Sequence, residues 1–518
     1  MLVVVAAASL SYALATRFGV IGAPDFREGL VTADRPLALD PYVGTPDQGA
    51  DDVAHLLYRS LFRLDATAYP APDLAASYSL SPDGRSYTVQ LAHARWSDGT
   101  PVTPADVVAT LQLAASAGSA DSAVTGSLAG LAAKAIPSGV VLTLLSPRAA
   151  LPALLTEVPI LPLGRDDASH LAQLEHSPQT VLPTSGPYAV KASSASDLLL
   201  TANPHATERP RLSSFDLRLY ASFDDAAAAF TRGDVDGLMA TTPAQRARLL
   251  AVHGAHAGAI ATFGFVDLLF NEQAPGLDDP VVRQVVAAVI ARDGLVAGAL
   301  DGLATPQSGA IPIGLRWVGA PHLPAPAPTA AAEAMLQNDG WVSTDAGVRS
   351  RSGVSLSFTV SVPDVDPLPD VAHELALQLA PLGISVAPDI VQAPTFLSTV
   401  LVPHSFQMAL GDWNAGPDPD VSTFWRSNAL PPHGYNVSDG PTDPFLDQAL
   451  DRLATLSDRG TRIAAAAQVD RLLAQDAPAV VLYAPDVWFV FRISMHAAPL
   501  PPVGGSAARY DDVASWQR

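Results

Sequence analysis

Four groups of residues in this chain have types and spacings that could carry chemistry. Asp418 and Asp420 in GPDPDVS set two carboxylates close together, as calcium sites do, but Pro417 and Pro419 stiffen the loop and no EF-hand spacing follows. A turn is their expected use. His253 and His256 in HGAHAG are near neighbours, yet no HExxH pattern or compact carboxylate partner accompanies them, which points to a surface loop. Ser127 in TGSLAG lacks the second glycine of a nucleophile elbow at the required place. Trp413 in GDWNAGPDPD offers a flat apolar face that could serve as a ligand platform. On residue type alone Trp413 serves equally well in a core.

The phosphate-binding patterns GxxxxGK[ST] and GxGxxG are absent, and the chain has no cysteine, which excludes disulfides, thiolate metal sites and cysteine nucleophiles. The expectation is a binding protein with no catalytic residue, no metal and no cofactor.

These residues must be positioned by an α/β framework. Val53, Leu56, Leu57, Leu61 and Phe62 in DDVAHLLYRSLFRLD fall at helical spacing behind an acidic start, which predicts one amphipathic helix. Tyr78, Leu80, Tyr87, Val89 and Leu91 alternate around Ser81-Pro82-Asp83-Gly84, which predicts a hairpin. In ARWSDGTPVTPADVVATLQ, Ser97-Asp98-Gly99 is a turn, Thr103 an N-cap, Pro104 a first helical residue and Asp106 an acid near the positive helix end. That stretch reads as strand, turn and capped helix. FDDAAAAFTRGDVDGL predicts a helix closed by Gly233, then a short strand. LSFTVSV, DVAHELALQLAPLG, ISVAPDIV, TFLSTVL and FQMALGDW alternate strand and helix, a helical pair spans 443–475, and AVVLYAPDVWFVF closes as an apolar strand. Alternation of this kind implies a mostly parallel or mixed sheet with helices on its faces. The Pro- and Ala-rich 320–329 segment reads as an extended linker.

At 518 residues, with 48% hydrophobic and 16% charged residues, the chain has material for two or three lobes. A formal net charge of −21 and only two lysines, Lys134 and Lys191, argue against nucleic acid, whose phosphates need clustered cations. MLVVVAAASLSYALATRFGV has no charged side chain before Arg17 and contains the small-x-small sequence Ala13-Leu14-Ala15. This suits an export signal or a short membrane anchor.

PDLAASYSLSPDGRSYTVQLAHARWSDGTPVTPADVV closely resembles the signature region of the family 5 extracellular solute-binding proteins of ABC importers, the oligopeptide- and dipeptide-binding type. LLYRSLFRLD, PTSGPYAV, FTRGDVDGL, FNEQAPGLDDPVVRQVVAAVIARDGLV, AEAMLQNDGW, GDWNAGPDPDVSTFW and QVDRLLAQDAPAVVLY continue the resemblance in family order. It implies a two-lobed clamp of the periplasmic-binding-protein kind, type II-like, with an extra α+β domain beside the first lobe. The implied division is residues 1–22 as signal or anchor, 27–50 with 183–262 and 486–518 as lobe I, 51–182 as the extra domain, and 263–485 as lobe II. The implied function is that of an exported, membrane-associated, monomeric receptor at the periplasm or outer membrane face, delivering a small peptide or similar solute to an ABC permease. A sensor without transport, a binder of a non-peptide solute and a hydrolase built on the same clamp are the alternatives.

Within the resemblance, Trp413, Asn414, Ala415 and Gly416 match the segment that lines the ligand cleft, Trp425 and Tyr435 lie near the same loop, and Asn271 in LFNEQ is a backbone-bonding residue. Many peptide-binding members carry an aspartate where Gly416 stands, to pair with the peptide's amino group, and a tyrosine where Pro417 stands. Leu410 occupies a position that can be basic in oligopeptide binders. Asp412 and Asp418 are the nearby carboxylates that can substitute for the missing one.

Overall fold

The computed structural model describes residues 24–32, 37–42, 48–116, 128, 130–164, 180–319, 323–345, 347–431, 434–437, 443–492 and 504–517. The apolar leader with its Ala13-Leu14-Ala15 sequence, Ser127, and the first three residues of the 320–329 linker lie outside them. Among the described residues no helix is long and apolar enough to cross a membrane. The chain divides into two units, one comprising 1–147, 151–260 and 487–518, the other 148–150 and 261–486.

The sheet of the first unit runs Gly237–Ala240, Phe26–Val31, Ser214–Tyr220, Asp197–Ala202, Tyr188–Ser193, with Phe26–Val31 parallel to both neighbours and the outer pairs antiparallel. It is a mixed sheet. Its helix Phe223–Arg232 is opened by Ser222, whose side chain accepts from the Asp225 N–H, and closed by Gly233 at φ 87°, a left-handed cap that costs glycine little. The aromatic core joins Phe26 and Phe215 to Tyr510 and Trp516, so residues near the end of the chain complete packing begun near its start.

Beside this core lies a fully buried charge cluster. Arg509, on the short 3-10 helix Ser506–Tyr510, donates from Nε to Glu28 at 2.8 Å and from a terminal nitrogen to Asp52 at 2.8 Å, and Ser506 donates to the other Asp52 oxygen at 2.6 Å. Burial alone would raise a carboxyl such as Glu28, and the guanidinium pulls against it. Arg509 itself is held well above the ordinary arginine range by the two acids, despite its own desolvation.

The first unit also contains a four-stranded antiparallel sheet, ordered Ala75–Leu80, Ser86–Leu91, Gly139–Thr143, Ala132–Ile136. The expected hairpin is its first pair, and Ser81, Asp83 and Gly84 close the turn through hydrogen bonds. Trp96 is completely buried, and Gly99 turns the chain at φ 87°. Thr103 and Asp106 form a reciprocal cap on the helix Pro104–Ser116: the Thr103 N–H donates to Asp106 at 2.8 Å, and the Asp106 N–H meets the Thr103 hydroxyl at 3.4 Å. Asp106 also accepts from the Gly164 N–H at 2.9 Å. The whole stretch is structural.

The helix expected through Phe62 is shorter. It spans Gln48–Leu57, and Phe62–Leu64 is a strand paired with Pro70–Pro72. Leu61 and Phe62 are buried as their apolar character requires, but by sheet pairing rather than by the continuing helix face.

In the second unit the sheet runs Ser385–Val391, Ser357–Pro363, Met408–Asn414, Gly264–Phe270 and the first half of Ala479–Arg492. The first two pairings are parallel and the next two antiparallel. Val266, Leu268 and Phe270 pack with Met408, Leu410, Val480 and Leu482 against residues of the helices Pro280–Val289, Arg292–Ala299 and Leu368–Leu379. The alternate set, including Leu269 and Ala409, faces a second cluster with Phe396, Leu401 and Val437. The central strand Gly264–Phe270 and the first four residues of Met408–Asn414 are therefore buried on both sides, while the edge strand Ser385–Val391 stays largely open.

Candidate ligand site

The second face of this sheet carries the site. Gly264–Phe270 is buried at all seven positions, and Asp267 is the one ionisable residue within it. Its neighbour across the antiparallel ladder is Gly411, two residues before Trp413 on the adjoining strand. The Trp413 indole Nε1 donates to Asp267 Oδ1 at 3.0 Å. Glycine at 411 makes this possible, since a Cβ there would overlap both the indole nitrogen and the Asp267 carboxylate.

Two rings pack on the tryptophan and two more extend the cluster. Trp413 packs edge-on to Phe424 at 5.5 Å and tilted against Tyr435 at 5.7 Å, while Phe265 meets Phe424 at 5.6 Å and stacks with Trp425 at 6.5 Å. Phe424 and Trp425 come from the one-turn helix Ser422–Trp425, whose Ser422 N–H and hydroxyl both donate to Asp420. Tyr435 is set by its N–H to the Thr423 carbonyl at 2.8 Å. Asp267, Leu269, Trp413, Phe424, Trp425, Tyr435, Asn436 and Val437 line a pocket of about 10 Å³, room for about one water-sized group.

Two buried polar atoms here lack a protein hydrogen-bond partner, Asp267 Oδ2 and Trp425 Nε1. Burial pushes the Asp267 carboxyl up to about 8; the Trp413 bond opposes the shift and the nearby Asp412 charge adds to it.

The four residues expected to contact ligand separate in space. Trp413 lines the pocket; Asn414, Ala415 and Gly416 form the turn that leaves the strand, with Asn414 Oδ1 accepting from the Gly416 N–H at 3.0 Å. Gly416 turns at φ 76° with open space where a side chain would stand. Trp425 and Tyr435 join Trp413 around the pocket. Asn271 bonds backbone, donating to the Phe406 carbonyl at 3.0 Å.

Of the two substitute acids, Asp418 is already engaged: buried, it is gripped by both terminal nitrogens of Arg462 at 2.9 and 2.6 Å. Its other duty is to accept the Asp420 N–H at 3.0 Å, so GPDPD is a turn locked by an ion pair. Asp412 is exposed, its carboxyl raised by the protein packed around it. Asp267 was not singled out by the sequence reading, and its signal was a lone carboxylate in the apolar run GFVDLLF. His253 and His256 are exposed, and among the described residues no group of three His, Cys, Asp or Glu could hold a metal ion.

The pocket lining contains no serine, threonine, cysteine, histidine or lysine.

The model of the bacterial extracellular solute-binding proteins, family 5, matches residues 69–433. The chain belongs to that family. A Brucella ovis protein named for ABC-transporter peptide binding is 28% identical over 385 residues, covering 70% of this chain and 69% of its own length. The solute-binding protein also superimposes on the Bacillus subtilis oligopeptide-binding protein AppA, solved with a nonapeptide, at TM-score 0.67 and 20% identity, over 95% of this chain and 99% of the other. NikA from Brucella suis, solved with Fe(III)-EDTA, matches at TM-score 0.76 and 17% identity, over 95% of this chain and 99% of the other. The fold is the mixed α/β binding-protein fold with an added β-rich subdomain. Family membership makes the chain an exported receptor that binds solute for an ABC permease, and places it among binders rather than enzymes.

Proposed function

We propose that this solute-binding protein carries peptides, and that Trp413 is a platform for them. The observation that carries the reading is the indole of Trp413, fixed over a glycine by a buried aspartate and walled by aromatic rings, on a strand whose sequence resembles the family's ligand-lining segment. Peptide main chains are common to all cargo, and rings supply apolar contact without demanding one side chain. The likeness to the Brucella ovis protein supports the same reading. Asn414, Ala415 and Gly416 complete the proposed contact segment, the Gly416 backbone being open to approach.

We further assign residues 1–22 as export signal or anchor; 27–50, 183–262 and 486–518 as lobe I; 51–182 as the extra domain; and 263–485 as lobe II. The protein works as a monomer, and its net charge of −21 supports the absence of a nucleic-acid partner.

Native mass spectrometry of protein purified without denaturation tests the cargo. A ladder of peptide masses that disappears after unfolding and refolding is the expected result. A single metal chelate or sugar mass in its place overturns the peptide reading.

A further inference from the structure

The strand Ser385–Val391 ends the sheet of the second unit, and among the described residues no strand pairs with its outer side. Its inner side pairs in parallel with Ser357–Pro363, from Ser357 opposite Ser385 to Pro363 opposite Val391. The Ser385 N–H donates to the Leu356 carbonyl at 2.9 Å, and the Val391 carbonyl accepts the Asp364 N–H at 2.8 Å. A parallel ladder bonds alternate residues, so Ser385, Ala387, Asp389 and Val391 turn their backbone groups inward. Val386, Pro388 and Ile390 turn theirs outward. Such an edge is a template for another strand, and the valines and isoleucine of SVAPDIV favour one. Ile390 is exposed as well. Pro388, the middle residue, is the exception. It stands at an outward position, where its missing N–H costs the sheet nothing, whereas at 387 or 389 it would break the ladder.

We propose that Pro388 closes this edge to pairing with a second copy of the chain. Two copies related by a twofold axis would pair these strands antiparallel, with 388 opposite 388 and Val386 opposite Ile390. The central bonds of that ladder run between the two residues 388, and proline has no hydrogen to give them. Its ring also fills the space that an approaching carbonyl needs. Asp389, exposed beside it, sets two like charges diagonally across the axis. The two lysines of the chain occupy comparable places. Lys191 is exposed at the bulge of the edge strand Tyr188–Ser193, and Lys134 is exposed on the edge strand Ala132–Ile136. Charge at a strand edge resists pairing because burying it unpaired is costly. The proposal rests on the monomeric reading only in that it removes the route to a dimer that this edge offers.

Sedimentation velocity on the full chain, with amide hydrogen exchange read residue by residue, tests it. In wild type the Val386 and Ile390 amides should exchange freely while those of Ala387 and Asp389 are protected, at every protein concentration. Pro388→Val restores the central N–H. It should raise the self-association constant by about tenfold or more and protect the amides at 386, 388 and 390 in the associated form. Adding Ile390→Lys to that variant should return it to monomer. Pro388→Ala restores the same N–H with a weaker strand former and should associate in the same register, less strongly. It decides the matter where Pro388→Val does not fold. Variants as monomeric as wild type overturn the proposal and leave the monomeric reading standing, as does association that leaves 386–390 unprotected. Wild-type association with free exchange at Val386 and Ile390 overturns the monomeric reading alone. Protection of those two amides in wild type overturns the proposal, and in an associated wild type it overturns both.

Discussion

Two regions bury carboxylates completely and treat them in opposite ways. Around Arg509 the chain brings its own cation to Glu28 and Asp52, from residues hundreds of positions away. At Asp267 it brings an indole N–H and aromatic rings, but among the described residues no ion pair. A buried charge is tolerated when paired and hydrogen-bonded, and otherwise becomes neutral. The first arrangement ties segments of one unit together; the second leaves a single carboxylate resting on one indole N–H. Asp418 belongs with the first kind, because Arg462 closes it.

The comparison can be broken most forcefully at Arg509. Arg509→Leu strands two buried acids and should lower unfolding free energy by about 3–5 kcal/mol in urea titration, with much of the loss recovered when Glu28→Gln and Asp52→Asn are added. Equal stability with Arg509 removed would mean that the cluster is not a tie.

The pH response of Asp267 comes next. Its folded-state pKa lies above its unfolded value, so its contribution to stability is full below about pH 4 and declines as pH rises to about 8. Asp267→Asn removes that dependence. Stability of the variant relative to wild type should therefore rise between pH 5 and pH 8, by roughly 3 kcal/mol, measured by denaturant titration at each pH. A constant difference across that range would contradict the raised carboxyl.

Trp413→Ala should weaken ligand binding by about 2 kcal/mol, or roughly 30-fold, with little change in the first unit. Calorimetry reads the affinity, and an unchanged value removes Trp413 from the site. Thr103→Ala sharpens the contrast at the small end: losing one member of a satisfied cap should cost about 1 kcal/mol in thermal unfolding and leave affinity untouched.

Local chemistry was readable directly. Gly233 ends its helix and the Pro-Asp-Gly turn closes its hairpin because both depend on backbone preferences a few residues wide. Phe62 was misread because five apolar residues at helical spacing also suit a helix followed by a strand, and only the pairing with Pro70–Pro72 decides between them. Trp413 was legible from its resemblance to the ligand-lining segment, while Asp267 required the register of two strands lying more than a hundred residues apart. The engagement of Asp418 was equally silent, since nothing in GPDPD announces Arg462.

The position of Arg509 also orders events in time. Until residues 509–516 have been made, Glu28 and Asp52 lack Arg509 as counter-charge and Phe26 and Phe215 lack Trp516 and Tyr510 as packing partners. A growing polypeptide emerges from its N-terminal end, so the first unit cannot complete this packing before residues 509–516 are made. The keystone of the first unit thus arrives 481 positions after the acid it pairs with.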